Sequence, residues 1–101
     1  MSQRTAEAHA RIKEEIAREK AAALGRAGER LEAALVTVAG IATAWRAATE
    51  PAECERLARE YDAAWRTADA ARLALLIQRE AVGLRDQRVV DQQFPRPPRR
   101  P

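Results

Sequence analysis

Two stretches of this chain carry the same seven-residue rhythm on either side of one proline, Pro51. In the first, Leu24, Leu31, Val38 and Trp45 are seven apart, with Gly28, Leu35 and Ala42 interleaved. In the second, Cys54, Tyr61, Ala68, Leu75 and Val82 are seven apart, with Leu57, Ala64 and Ala71 between them. A 3–4 spacing places each set on one stripe of an α-helix, so each segment has a face that must be buried. Taking the region near residue 50 as a turn, Val38 faces Tyr61, Leu35 faces Ala64, Leu31 faces Ala68 and Leu24 faces Leu75. Large residues then meet small ones repeatedly, which permits close interdigitation. The expectation is an all-α protein built on a long antiparallel helical hairpin with a coiled-coil-like seam.

The local signals divide the chain further. A helix is expected from about Thr5 to Leu24, with His9, Ile12, Ile16 and Ala23 as a thin apolar stripe. That stripe is out of register with the Leu24 heptads, and Gly25-Arg26-Ala27-Gly28 is the place to reset the phase. Two glycines cost about 1 kcal/mol each relative to alanine inside a helix. They allow a true turn, giving three helices, or a bend in one long helix. With no Pro, Asn or Asp beside them, the bend is preferred. A second helix is expected over 29–48, ended by Thr49-Glu50-Pro51, since the residue before proline is pushed out of the α region. Pro51 suits the first turn of the next helix, and Glu50 and Glu53 sit at its positive end. That helix runs to about Val82, with Gly83-Leu84 reading as a glycine C-cap and its hydrophobic contact. Asp86 can cap a short helix over 86–93 that carries Val89 and Val90. Residues 1–94 thus read as one helical domain and 95–101 as an extended Pro/Arg-rich tail, mostly polyproline II.

Composition says how much core such a hairpin can build. Of the 47% hydrophobic residues about half are alanine, in a chain of 101. A small alanine-rich core buries little area, and association with another copy is the usual remedy. The run Leu73-Ala74-Leu75-Leu76-Ile77 is apolar nearly all round, and Trp65 lies beside the main stripe. A two-helix hairpin cannot cover both faces, which points to a three- or four-helix bundle completed by dimerisation. Trp65, Leu73, Leu76 and Ile77 are the candidate second interface.

Net charge is +3, and its location matters more than its size. With Arg96, Arg99 and Arg100 set aside, the 18 basic residues fall to 15 and match the 15 acidic ones. A neutral body argues against a basic face built for nucleic acid. The tail can be a solvated terminus. It can also be a docking peptide, in which Arg96, Arg99 and Arg100 give a preorganised segment affinity for an acidic groove or phosphate.

The chemistry-bearing residues are few. His9, the one histidine, has Glu7 two residues away and pointing elsewhere, and there is no Glu-x-x-His pair. Glu14, Glu15 and Glu19 alternate with Lys13, Arg18 and Lys20, the pattern of a solvated face. Cys54 sits at a stripe position, as a small buried thiol does. No Gly-rich phosphate loop and no nucleophile with a base partner are found in the sequence. A non-enzymatic protein without metal or cofactor is therefore expected. The N-terminus lacks an apolar signal core, and the most apolar run, Ala33 to Trp45, is short of the roughly 20 residues of a membrane span. A cytoplasmic protein is expected.

Two strings, EKAAALGRAGERLEAAL (Glu19 to Leu35) and QREAVGLRD (Gln78 to Asp86), resemble a family of short, uncharacterised bacterial all-helical proteins. The resemblance covers about a third of the chain and implies a small bacterial cytoplasmic protein. It also implies a structured corner around Gly83 made by Gln78, Arg79, Glu80, Arg85 and Asp86. The family has no assigned activity. The leading functional expectation is an interaction or scaffold protein acting through helix faces; the alternative is a small nucleic-acid-associated regulator using the arginine tail.

Overall fold

The 45 residues Gln3–Ala47 form a single helix, α1, in the computed structural model, which describes residues 2–100. Ser2 caps it, its side chain accepting from the Thr5 backbone N–H at 3.2 Å. Of the turn and the bend weighed at Gly25–Gly28, the turn does not form. The helix runs unbroken through both glycines, as the preferred single-helix reading has it, and the segments 5–24 and 29–48 are one. The reason is energetic: two glycines cost about 2 kcal/mol together, too little to interrupt a long alanine-rich helix once Ala27 and Leu31 pack beside them. Ala27 and Leu31 are both fully buried.

At Ala48 the backbone turns extended, and α2 (Pro51–Ala81) begins with Pro51 in its first turn and Glu53 near the positive end of its dipole. The helix stops at a glycine cap. Gly83 has φ +86°, its N–H reaches the Glu80 carbonyl at 3.0 Å, and the Leu84 N–H reaches the Arg79 carbonyl at 2.9 Å. This is the Schellman arrangement, which satisfies the last carbonyls and requires a left-handed residue. The corner around Gly83 is tied further by Arg79, whose guanidinium donates to the Asp86 carbonyl at 3.3 Å. Asp86 in turn caps α3 (Gln87–Gln93), accepting from the Arg88 N–H at 3.0 Å.

α1 and α2 pack antiparallel, and the heptad stripes face each other. Near the turn, Val38, Tyr61, Trp65 and Ala68 form one buried cluster, supported by Leu35, Ala42, Trp45 and Ala64. Farther along, Ala27, Leu31, Leu75 and Val90 form a second, with Leu24, Ala71, Leu76 and Phe94 against it. Val90 belongs to α3, so the short helix closes this part of the hairpin. α1 does not fold back as the third helix. Its segment 3–22 runs on past the paired region, and only Ala8 within it is even half-buried. Those 20 residues span about 30 Å at 1.5 Å per residue, and the whole of α1, 45 residues and about 68 Å, makes up most of the overall length of 74 Å.

Candidate functional site

Beyond α3 the chain turns back along α2 toward the hairpin turn, and α2 receives it on two adjoining stripes. Tyr61 and Trp65 are four apart and make an aromatic ridge. Asp62, Trp65 and Asp69 follow an i, i+3, i+7 line, so a carboxylate stands at each end of the indole. The order of contacts runs antiparallel to α2. Asp91 of α3 pairs with Arg72 at 2.7 Å, Arg96 with Asp69 at 2.5 Å, and Arg100 with Asp62 at 2.6 Å. Between the last two, the Trp65 indole N–H donates to the Pro97 carbonyl at 2.9 Å and the Tyr61 hydroxyl donates to the Pro98 carbonyl.

The indole is also a cation site. The Arg99 guanidinium carbon lies 4.1 Å from the Trp65 ring centroid and that of Arg96 lies at 5.6 Å. Trp45 of α1 packs against the platform, its ring 5.7 Å from that of Tyr61 and tilted by 48°. Arg100 holds Asp62 with its Nε and Nη2 both, at 3.1 and 2.6 Å to the two carboxylate oxygens. That hydrogen bonding keeps the Asp62 carboxyl below its ordinary value of 3.8, and raises Arg100. A similar grip by Arg88 lowers Asp86. One exposed ion pair is worth about 0–1 kcal/mol and one exposed cation–π contact about 0.5–1 kcal/mol, so the segment is held by the set.

The residues singled out in the sequence do not share one surface. Trp65, expected to face a partner, is only 9% exposed and lies under the chain's own tail. Leu76 is half-buried against the second cluster. Leu73 and Ile77 remain 58% and 56% exposed and, with Leu76 and Leu84, line an open groove of about 230 Å³. Arg96, Arg99 and Arg100 are not loose in solvent. Arg96 and Arg100 pair with carboxylates and Arg99 lies over an indole, so the charge a nucleic-acid reading needs is engaged within the chain.

Sequence reasoning missed Asp62 and Asp69. A signal exists: they are the aspartates of α2, seven apart, in a helix whose other acidic residues are glutamates. Aspartate is a poorer helix former than glutamate, which sets these two apart from the other acidic residues of α2.

Elsewhere the chemistry is sparse. His9 is exposed, and the Cys54 thiol, half-buried, donates to the Ala48 carbonyl at 3.5 Å. Among the described residues no group of His, Cys, Asp and Glu is placed to hold a metal, and no helix is long and apolar enough to cross a membrane. Compared with protein-family models, curated proteins and solved structures, the chain matches none.

Proposed function

We propose that this chain is a non-enzymatic interaction protein that works through helix faces and self-associates through them. The observation that carries this reading is the N-terminal arm of α1. Ile12 and Ile16 lie one turn apart on it and are 52% and 45% exposed, Ile16 lining an open groove with Leu24 and Val82. An isolated helix below about 12–15 residues is marginal in water, and even a longer one gains most of its stability from packing an apolar stripe. An arm of this length is therefore best supported by a second helix. A second copy supplies one of the same length and pattern, as in the isologous pairing common to homodimers. Leu73 and Ile77 on α2 offer a further apolar face for such an assembly.

Absolute mass by light scattering over a concentration series tests the proposal. A dimer near twice the 11.2 kDa chain mass is expected, reverting to one chain mass in Ile12→Glu/Ile16→Glu with the hairpin's helicity retained. A single-chain mass at every concentration overturns it. A dimer that survives the double substitution overturns the assignment to the arm and leaves the Leu73/Ile77 face to be tested by Ile77→Glu.

A further inference from the structure

Residues 95–100 are three prolines and three arginines, and the structure seats them as a ligand is seated. Proline fixes φ near −65° and removes the N–H, so such a segment is extended, carries free carbonyls and loses little entropy on docking. Two consecutive carbonyls, those of Pro97 and Pro98, accept from Trp65 and Tyr61. Aromatic side chains that hydrogen-bond backbone carbonyls of a proline-rich strand are how polyproline grooves hold their peptides, with flanking charges setting direction.

The spacing of the carboxylates agrees with that of the arginines. Asp62 and Asp69 are seven helical residues apart, about 10 Å along α2 at 1.5 Å per residue. Arg96 and Arg100 are four residues apart, about 12 Å along a polyproline II segment at 3.1 Å per residue. The receptor is therefore built to the pitch of an arginine-flanked proline segment. The tail does not fill it. Between Pro98 and α1 an open groove of about 550 Å³ remains, floored by Val38, Ala42, Trp45 and Tyr61. A longer or bulkier apolar ligand gains burial there that the tail forgoes.

We propose that the Tyr61–Trp65 face of α2, bounded by Asp62 and Asp69, is a binding site for arginine-flanked polyproline segments of other proteins. The chain's own residues 95–100 are its resident competitor. This uses a different surface from the arm of α1 and stands whether or not the chain self-associates. Because the competitor is tethered, its effective concentration is of millimolar order, so only an abundant, multivalent or better-filling segment displaces it. Phe94 and Val90 stay in the core while the outer residues lift, since both pack in the second cluster.

The test uses the full chain with Arg96→Glu, Arg99→Glu and Arg100→Glu, which sets the tail against Asp62 and Asp69 and leaves the site intact. The probe is the peptide FPRPPRRP, the chain's residues 94–101, and the readout is the Trp65 indole N–H resonance. In the variant that resonance should leave its wild-type position, and the peptide should return it saturably. The wild-type chain should need about tenfold more peptide or beyond, because its site is already occupied. Adding Asp62→Ala and Asp69→Ala to the variant should weaken binding about tenfold or more, the worth of lost charge-assisted hydrogen bonds. An unmoved indole in the variant, no saturable return up to millimolar peptide, or an equal response to a peptide with its arginines replaced by glutamate overturns the proposal. If circular dichroism shows the variant unfolded, nitroxide-labelled peptide is added in excess to the wild-type chain. Selective broadening of the Trp65 indole supports the site, and its absence overturns it.

Discussion

Arg100 closes a two-pronged ion pair with Asp62 across 38 residues of sequence, joining the end of the chain to the middle of α2. The contact is short, 2.6 Å at its closest, yet both side chains keep water access, at 41% and 31% exposure. Solvent screening therefore holds its worth in the range of a surface pair. Its effect is on where the tail lies rather than on whether the hairpin folds.

Acid should release the tail before it harms the hairpin. The Asp62 carboxyl is held below its ordinary value by the Arg100 hydrogen bond. A carboxylate with a lowered folded value stabilises fully above the unfolded value and loses that contribution as pH falls through the folded one. The docked tail should thus be constant down to the ordinary carboxylate value of 3.8 and detach below it. The Trp65 indole resonance, followed from neutral pH to about pH 2, should move in that window while α-helical circular dichroism holds. In Asp62→Asn the acid step should shrink; an unchanged step would remove Asp62 as its origin.

Gly83→Ala should destabilise the corner by about 1 kcal/mol or more, because the left-handed region penalises a Cβ by about 1–2 kcal/mol. Space is not the reason, since nothing lies within 4 Å of where that Cβ would stand. The positive φ is. Chemical denaturation followed by circular dichroism measures the loss, and Asn at the same position should recover part of it, since Asn tolerates this conformation better than Ala.

The parts of the fold readable in the sequence are those fixed by short-range rules. Heptad spacing placed Val38 against Tyr61 and Leu24 against Leu75, and proline and glycine chemistry placed the ends of α2. The phase slip between Ile16 and Leu24 left a turn or one long helix open. The preferred single helix is what forms, since a stripe need stay in register only where a partner faces it. Along 3–22 the side chains are exposed but for the half-buried Ala8. The tail's position was not legible for a different reason. Its contacts are backbone carbonyls of Pro97 and Pro98, which carry no side-chain signature, and ion pairs formed across sequence separations of 27 and 38 residues. Only the aspartate pair on α2 announced a receptor, and its meaning depends on knowing that α3 turns the chain back.

Leu31→Ala should cost about 2–5 kcal/mol, as truncation of a fully buried leucine does. For a domain whose whole stability is of the order of 5–15 kcal/mol, that is enough to shift the urea midpoint severely. Leu73→Ala should change stability by no more than about 0.5 kcal/mol, since that side chain is largely in solvent. The contrast separates core from surface on two leucines of the same hairpin. Equal losses would mean that Leu73 is covered in solution, as by a second copy, and its loss should then grow with protein concentration.

Gly28→Ala and Gly40→Ala test the continuity of α1. Both glycines lie inside the helix at places where an added Cβ would meet nothing within 4 Å. Alanine is favoured over glycine in a helix interior by about 1 kcal/mol, so each substitution should stabilise by nearly that amount. Gly25→Ala, in the same helix with equally open surroundings, should behave alike and should also slow amide exchange in the segment 3–22. The sign of the effect decides between two architectures. A helix that passes straight through residues 25–28 gains from alanine at both Gly25 and Gly28. A turn there would need at least one of them at positive φ and would lose stability on the same substitution. Denaturation midpoints of the three variants therefore show whether the arm continues away from the hairpin, where its isoleucines stay open to a partner.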